Sequence, residues 1–88
     1  MHLFTDAQLL LLKQLRRKGS TLTRIRYGIS ALCLVEFNND LSFESVRFDG
    51  RTIVSMEKRG FVHVMKTSGR KQWLELTDKG RNLKLVKL

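Results

Sequence analysis

The most informative stretch of this chain is DGRTIVSMEKRGFVHVMKTSGRKQWLELTDKGR, residues 49–81. Asp49 is a typical helix N-cap residue, and a glycine follows the predicted helix 49–59. Alternating apolar residues then predict two strands within 61–77, joined by a turn at Gly69. We therefore expect a helix followed directly by a β-hairpin.

The predicted helix 49–59 divides into an apolar side and a polar side. Ile53 and Met56 are spaced i, i+3 and so share the apolar side. Arginine can bond a guanine edge with two donors, and serine can bond a base or a phosphate. An amphipathic helix with a solvated outer face explains the pattern equally well when it is taken alone. As a recognition helix in a DNA major groove, it would contact DNA through Arg51, Thr52, Ser55, Lys58 and Arg59.

The predicted hairpin 61–77 favours the DNA interpretation. Its turn carries three cations, which repel one another at close range, and phosphate contact offsets that repulsion. We expect this hairpin to lie along the DNA backbone. Trp73, the single tryptophan, is more often a core residue in such a position than a stacking surface. The predicted contacts of the hairpin are Lys66, Thr67, Ser68, Arg70 and Lys71.

Composition indicates one basic globular domain over residues 1–88. Seventeen Lys and Arg against eight Asp and Glu give a formal net charge of +9, which attracts polyanions, most commonly nucleic acid. No apolar run approaches the roughly 20 residues that cross a membrane. The single cysteine, Cys33, excludes an internal disulfide, and the N-terminus lacks a basic signal-peptide region. A cytoplasmic protein is expected.

The segments before the predicted recognition helix are harder to assign. Thr5 and Gln8 match a capping box and predict a first helix over residues 5–18. Apolar residues at helical spacing predict a second helix within 20–39, which Tyr27-Gly28-Ile29 could break in two. Residues 41–48 suit a short helix or a strand, and we favour the helix.

The run Ala31 to Val35 is apolar at every position. A helix containing it would be covered on most sides. The run is therefore expected either at the centre of the domain or in a subunit contact, which would make a homodimer.

Two motifs in the C-terminal half resemble a known family. SMEKRGFV, followed by LELTDKGR, resembles the winged-helix domain of bacterial regulators of the multiple-antibiotic-resistance repressor (MarR) type, and FTDAQLLLLKQL resembles the first helix of that domain. The resemblance covers about 50 residues. The resemblance implies a small α+β winged helix-turn-helix domain, with three or more helices plus a C-terminal β-hairpin wing. It also implies that Arg51, Ser55, Lys58 and the wing face the DNA.

The chain departs from that family in three respects. The stretch between the first helix and the predicted recognition helix is longer than usual, the wing is short and lacks the acidic-arginine motif at its tip, and the flanking dimerisation helices are missing. Ligand-controlled regulation therefore does not carry over.

The residues that commonly carry catalysis or bind metals do not form a recognisable pattern. His2, His63 and Cys33 lack metal-site spacing, and no glycine-rich phosphate loop occurs. Cys33 lies in the most apolar run and is expected to be an inert core thiol. We expect no enzyme activity, no cofactor and no metal site.

The sequence thus predicts a double-stranded DNA-binding winged-helix protein, a small transcriptional regulator, with helix 49–59 in the major groove and hairpin 61–77 on the backbone. The alternative is a winged-helix module that docks on a polymerase or another protein complex, because winged helices serve both roles.

Overall fold

The structure, a computed structural model, describes residues 3–38, 41–84 and 86–87. Within these residues the chain forms three helices and seven strands in a small α+β arrangement. In chain order the elements are β1 (Leu3–Phe4), α1 (Asp6–Leu15), β2 (Ser20–Tyr27), β3 (Ser30–Asn38), β4 (Phe43–Phe48), α2 (Gly50–Lys58), β5 (Val62–Ser68), β6 (Lys71–Leu76), α3 (Asp78–Asn82) and β7 (Val86–Lys87).

Among the described residues, five strands form one antiparallel sheet in the order β4-β3-β2-β6-β5. β1 and β7 form a separate two-stranded parallel pair. The central strand β2 pairs with β3 on one side and with β6 on the other, so it joins the N-terminal strands to the C-terminal hairpin.

Helices cover one face of the sheet. Ile53 and Met56 of α2 are fully buried, and so is Leu22 of β2. Alternate residues of a strand point to the same face, so every second residue of β2, β3, β4 and β6 points toward the helices. In β5 a register shift between Val64 and Lys66 reverses this alternation, so Val62 is buried against the helices whereas Lys66 lies on the other face. The core consists of Phe4, Leu9, Leu11, Leu12, Leu22, Cys33, Val35, Phe48, Ile53, Met56, Phe61, Val62, Leu74 and Leu76. The opposite face of the sheet, called the open face below, has no described helix packed on it.

The predicted helices 5–18 and 49–59 are present as α1 and α2, with shorter bounds. The capping box is complete, because the Thr5 hydroxyl accepts from the Gln8 amide over 3.2 Å and the Gln8 side chain accepts from the Thr5 amide over 3.0 Å. The predicted hairpin within 61–77 is β5 and β6.

The prediction of a winged helix-turn-helix domain is wrong. Residues 20–39, predicted as helix, contain β2 and β3 up to Asn38, and residues 41–48, favoured as a helix, contain β4. Residues 39 and 40 lie outside the described part of the chain. α2 consequently packs on a five-stranded sheet and not on a preceding pair of helices.

The turn between β2 and β3 explains this error. Tyr27 pairs with Ser30, so the hairpin loop has two residues, and its first residue, Gly28, has φ of +60°. Glycine at the first position is characteristic of a tight two-residue hairpin loop. Tyr27-Gly28-Ile29 therefore does not break a helix but reverses the chain between two strands.

Candidate nucleic-acid interface

Two hairpin turns meet at one end of the sheet. Ser68 pairs with Lys71 across the β5–β6 turn, and Ile25 of β2 pairs with Lys71 of β6. The Arg26 amide also donates to the carbonyl oxygen of Arg70 over 3.1 Å. The β2–β3 and β5–β6 turns are therefore neighbours.

α2 begins at the same end of the sheet. Phe48, at the end of β4, pairs with Cys33, and the chain enters α2 two residues later. A Cβ built on Gly50 would lie 3.9 Å from the Ala31 Cβ, so the first turn of α2 adjoins β3 near its hairpin turn. We call this end, defined by Arg26, Arg47, Arg51, Arg70 and Lys71, the cationic end.

A groove of about 1100 Å³ lies between α2 and the β2–β3 hairpin. Of the described residues that line it, six are cationic and one is acidic: Arg24, Arg26, Arg47, Arg51, Lys58 and Arg59 against Asp49. Its positive charge matches the phosphate backbone of a nucleic acid.

Two of the groove cations have structural roles. The Arg24 side chain is only 4% exposed; it forms an ion pair with Glu57 and donates twice to the Gln72 side chain. Arg59 donates to the Leu3 carbonyl over 3.2 Å and lies over the Phe4 ring, 4.6 Å from its centroid. Both guanidinium groups are occupied within the domain.

The other groove cations are available to a ligand. Arg26, Arg47 and Lys58 are exposed, and within the described part of the chain none of them has a carboxylate at ion-pair distance. Arg70, at the neighbouring turn, is likewise exposed. Mutual repulsion among such groups is relieved when phosphates replace their counterions.

Arg51 lies at the start of α2 and is held by the residue that caps the helix. The Asp49 carboxylate accepts from the Arg51 amide over 2.8 Å and from its guanidinium over 3.2 Å and 3.0 Å. These hydrogen bonds lower the pKa of Asp49 and raise that of Arg51, so both groups stay charged. The Arg51 side chain remains 92% exposed, so its outer nitrogens can still reach a ligand.

The structure does not bring all the predicted contact residues of α2 to the outer surface. Arg51 and Lys58 are exposed, Thr52 is half-buried, and the Ser55 hydroxyl accepts from the Gln8 side chain over 3.2 Å at the contact with α1. Arg59 is occupied as described above. The expected outward stripe of α2 is thus reduced to Arg51 and Lys58, with Val54 40% exposed beside them.

The hairpin residues are accessible, but they do not all face the same way. Thr67, Ser68 and Arg70 are exposed around the β5–β6 turn. Lys66 and Lys71 instead lie on the open face, with their ammonium groups 4.9 Å and 5.0 Å from the centroid of the Trp73 ring.

Sequence reasoning missed Arg26 and Arg47 as site residues. Both belong to clusters of basic residues, at 24–26 and 47–51, so a signal was present in the sequence. Those clusters could not be connected to the α2 surface while residues 20–48 were assigned to helices.

The apolar run Ala31 to Val35 lies in β3, whose alternate residues point to opposite faces. Cys33 and Val35 are buried against the helices, and burial raises the pKa of the Cys33 thiol. Leu32 and Leu34 are half-buried on the open face. A homodimer through this run stays a prediction.

Other site types have little support in the described residues. No group of three His, Cys, Asp or Glu side chains there could hold a metal ion; His2 lies outside those residues. The helices that the structure describes are all too short or too polar to span a membrane.

Comparisons with protein-family models, with curated proteins and with solved structures found no match.

Proposed function

We propose that this protein binds double-stranded DNA through its cationic end. The observation that carries the proposal is the meeting of three elements there: the first turn of α2, the β2–β3 turn and the β5–β6 turn. Each element brings a cation, respectively Arg51, Arg26 and Arg70. A polyanion that touches this end meets all three.

The charge distribution supports a nucleic-acid partner. Asp49 is the single carboxylate among the described groove residues, and its charge is matched by Arg51. Glu44, by contrast, pairs with Arg17, at the end of the sheet where β2 begins.

α2 is the element best placed to contact base edges. Ile53 and Met56 fix it to the sheet, while Arg51 and Lys58 project from its exposed side. These two residues are seven positions apart, which is roughly 10 Å along a helix. Arg51 would contact a base edge and Lys58 a phosphate, because bidentate arginine contacts specify sequence and lysine contacts fix position.

The test compares two double variants that lose equal charge. Arg26→Ala/Arg70→Ala removes two exposed cations from the cationic end. Lys13→Ala/Lys18→Ala removes two exposed cations near the end of α1, close to the start of β2. Affinity is measured by fluorescence anisotropy with a labelled duplex at low salt, after thermal melts confirm that both proteins are folded.

The first variant should lose at least about tenfold in affinity, because two phosphate contacts disappear, and the second should change little. Equal losses would show that affinity depends only on the total charge of the protein. The assignment of the DNA site to the cationic end would then be wrong. No duplex affinity in the parent protein would overturn the proposal and favour docking on another protein.

A further inference from the structure

The open face of the sheet carries an apolar and aromatic strip. One continuous row of paired residues crosses the five described strands of the main sheet: Arg47, Leu34, Thr23, Trp73 and Lys66. Neighbouring strands lie about 4.8 Å apart, so the row spans roughly 19 Å. Leu34 and Trp73 flank Thr23, a buried polar residue in the middle of the row, and the two end residues, Arg47 and Lys66, are cationic.

The next row lies nearer the β2–β3 and β5–β6 turns. It contains Leu32, Ile25, Lys71 and Ser68. Leu32 and Ile25 are half-buried although no described helix covers them. Lys71 adjoins the turn residue Arg70, so the strip continues into the cationic end.

Trp73 is the aromatic residue of these two rows. The Lys66 and Lys71 ammonium groups lie 4.9 Å and 5.0 Å from its ring centroid, and the ring is half-buried. Neither lysine has a carboxylate at ion-pair distance in the part of the chain that the structure describes. An aromatic ring beside two such cations can stack a base while the ammonium groups turn to the adjoining phosphates.

The acids of this face lie on the side away from the cationic end. Glu75 pairs with His63 over 3.0 Å, and Glu36 pairs with Thr21 of β2 in the strand register. An anionic strand would therefore occupy the half of the face that holds Trp73, Lys66 and Lys71.

From these relationships we infer that the open face binds an unpaired nucleic-acid strand, with one base stacked on Trp73 and the flanking phosphates held by Lys66 and Lys71. The inference rests on the proposed function and extends it from duplex DNA to nucleic acid with a single-stranded segment. The intact bases of a duplex are stacked on each other, so Trp73 distinguishes the two forms.

Trp73 is the single tryptophan, so its emission reports this site directly. The first probe is a deoxythymidine oligomer of about 15 nucleotides, and the second is an abasic oligomer of the same length, which keeps the phosphates and lacks the bases. The first should quench Trp73 emission in a saturable way. The second should leave the emission largely unchanged, even where it competes for binding.

Two variants complete the test, with anisotropy of a labelled oligomer as the measurement. Trp73→Leu should weaken binding of the single strand roughly 5- to 150-fold and leave duplex binding unchanged. Trp73→Phe keeps a ring and should retain most of the single-strand affinity. Circular dichroism melts confirm that both variants are folded.

Three results would overturn the inference. Absence of quenching by the thymidine oligomer, with duplex binding intact, would remove the open-face site and leave the proposed function standing. Equal quenching by both oligomers would show that the lysines respond to phosphate without stacking. A Trp73 emission shift on raising protein concentration alone would show that a second copy covers this face.

Discussion

The Arg26 amide donates to the carbonyl oxygen of Arg70 over 3.1 Å, and this bond places two cationic turns side by side. The residues are 44 positions apart in the chain, and no local sequence pattern connects them. Because of this bond, Arg26 and Arg70, which belong to separate basic clusters in the sequence, lie on one surface at the cationic end. This arrangement depends on β2 pairing with β6, which brings the first half of the sheet to the C-terminal hairpin.

Arg51→Ala should alter which DNA sequences are preferred. Because its side chain is 92% exposed at the start of α2, its loss should cost about 1–3 kcal/mol on the preferred site and relax selectivity there. Selection from a random duplex library, compared between the parent and the variant, measures this. Lys58→Ala is the matched control and should weaken all sequences about equally. An unchanged preference in Arg51→Ala would show that α2 does not read bases.

Glu57→Ala should destabilise the fold and so distinguish Arg24 from the ligand-binding cations. The Arg24 side chain is 4% exposed, so loss of its carboxylate partner leaves a buried charge with Gln72 as its neighbour. Since Glu57 itself is partly exposed, we expect a loss of about 1–3 kcal/mol in the free energy of unfolding, measured by urea titration. Glu44→Ala, which breaks the exposed pair with Arg17, should cost at most about 1 kcal/mol. Equal effects would contradict the structural role of Arg24.

Gly80→Ala tests the packing of α3. A Cβ on Gly80 would lie 2.2 Å from the Phe61 carbonyl oxygen, so the backbone must shift to admit it. Overpacking of this kind should lower the free energy of unfolding by about 1–3 kcal/mol. Asn82→Ala, at an exposed position of the same helix, is the control and should stay within about 0.5 kcal/mol of the parent. A fully stable Gly80→Ala protein would mean that α3 is not seated against Phe61.

Asp49→Asn should change the pH dependence of stability. Hydrogen bonds from Arg51 lower the pKa of Asp49 below its ordinary value of 3.8. A carboxyl whose pKa is lower in the folded state stabilises the fold above its unfolded pKa and loses that effect as pH falls through the folded value. Asparagine is also a good N-cap, so the helix should persist in the variant.

Urea midpoints of the parent and Asp49→Asn proteins should therefore differ near neutral pH and converge as the pH drops below about 4. A difference that is constant across this range would show that the charge of Asp49 has no part in stabilising α2.

The C-terminal half of the fold was predictable because its signals are local. Asp49 caps α2, and Gly69 has φ of +57° in the β5–β6 turn. Each signal acts within a few residues and needs no knowledge of the rest of the chain. Helix α1 was predictable for the same reason, through Thr5 and Gln8.

The strands in residues 20–48 were not predictable in this way, because their pattern depends on distant partners. Arg24 points toward the helix-covered face of β2, where an apolar residue would signal a strand, and its partner Glu57 is 33 positions away. Ala31 to Val35 reads as a continuous apolar run because β3 is an interior strand whose open face is also apolar. The periodicity of such a run does not show whether it forms a strand or a buried helix.

The same dependence limited the prediction of the site. Exposed cations on α2 and at the β5–β6 turn followed from local pattern, whereas Arg26 joined them only through strand pairing. Ser55 and Arg59 looked like outward donors from helical spacing, but contacts with Gln8 of α1 occupy them.

The most direct test of the central claim is the salt dependence of duplex binding by the parent protein. Five cations define the cationic end, and each phosphate neutralised contributes about −0.9 to the slope of log K against log[salt]. We predict a slope of roughly −4.5, reduced by about two in Arg26→Ala/Arg70→Ala. A slope near zero, or a slope that the double variant leaves unchanged, would contradict DNA binding through the cationic end.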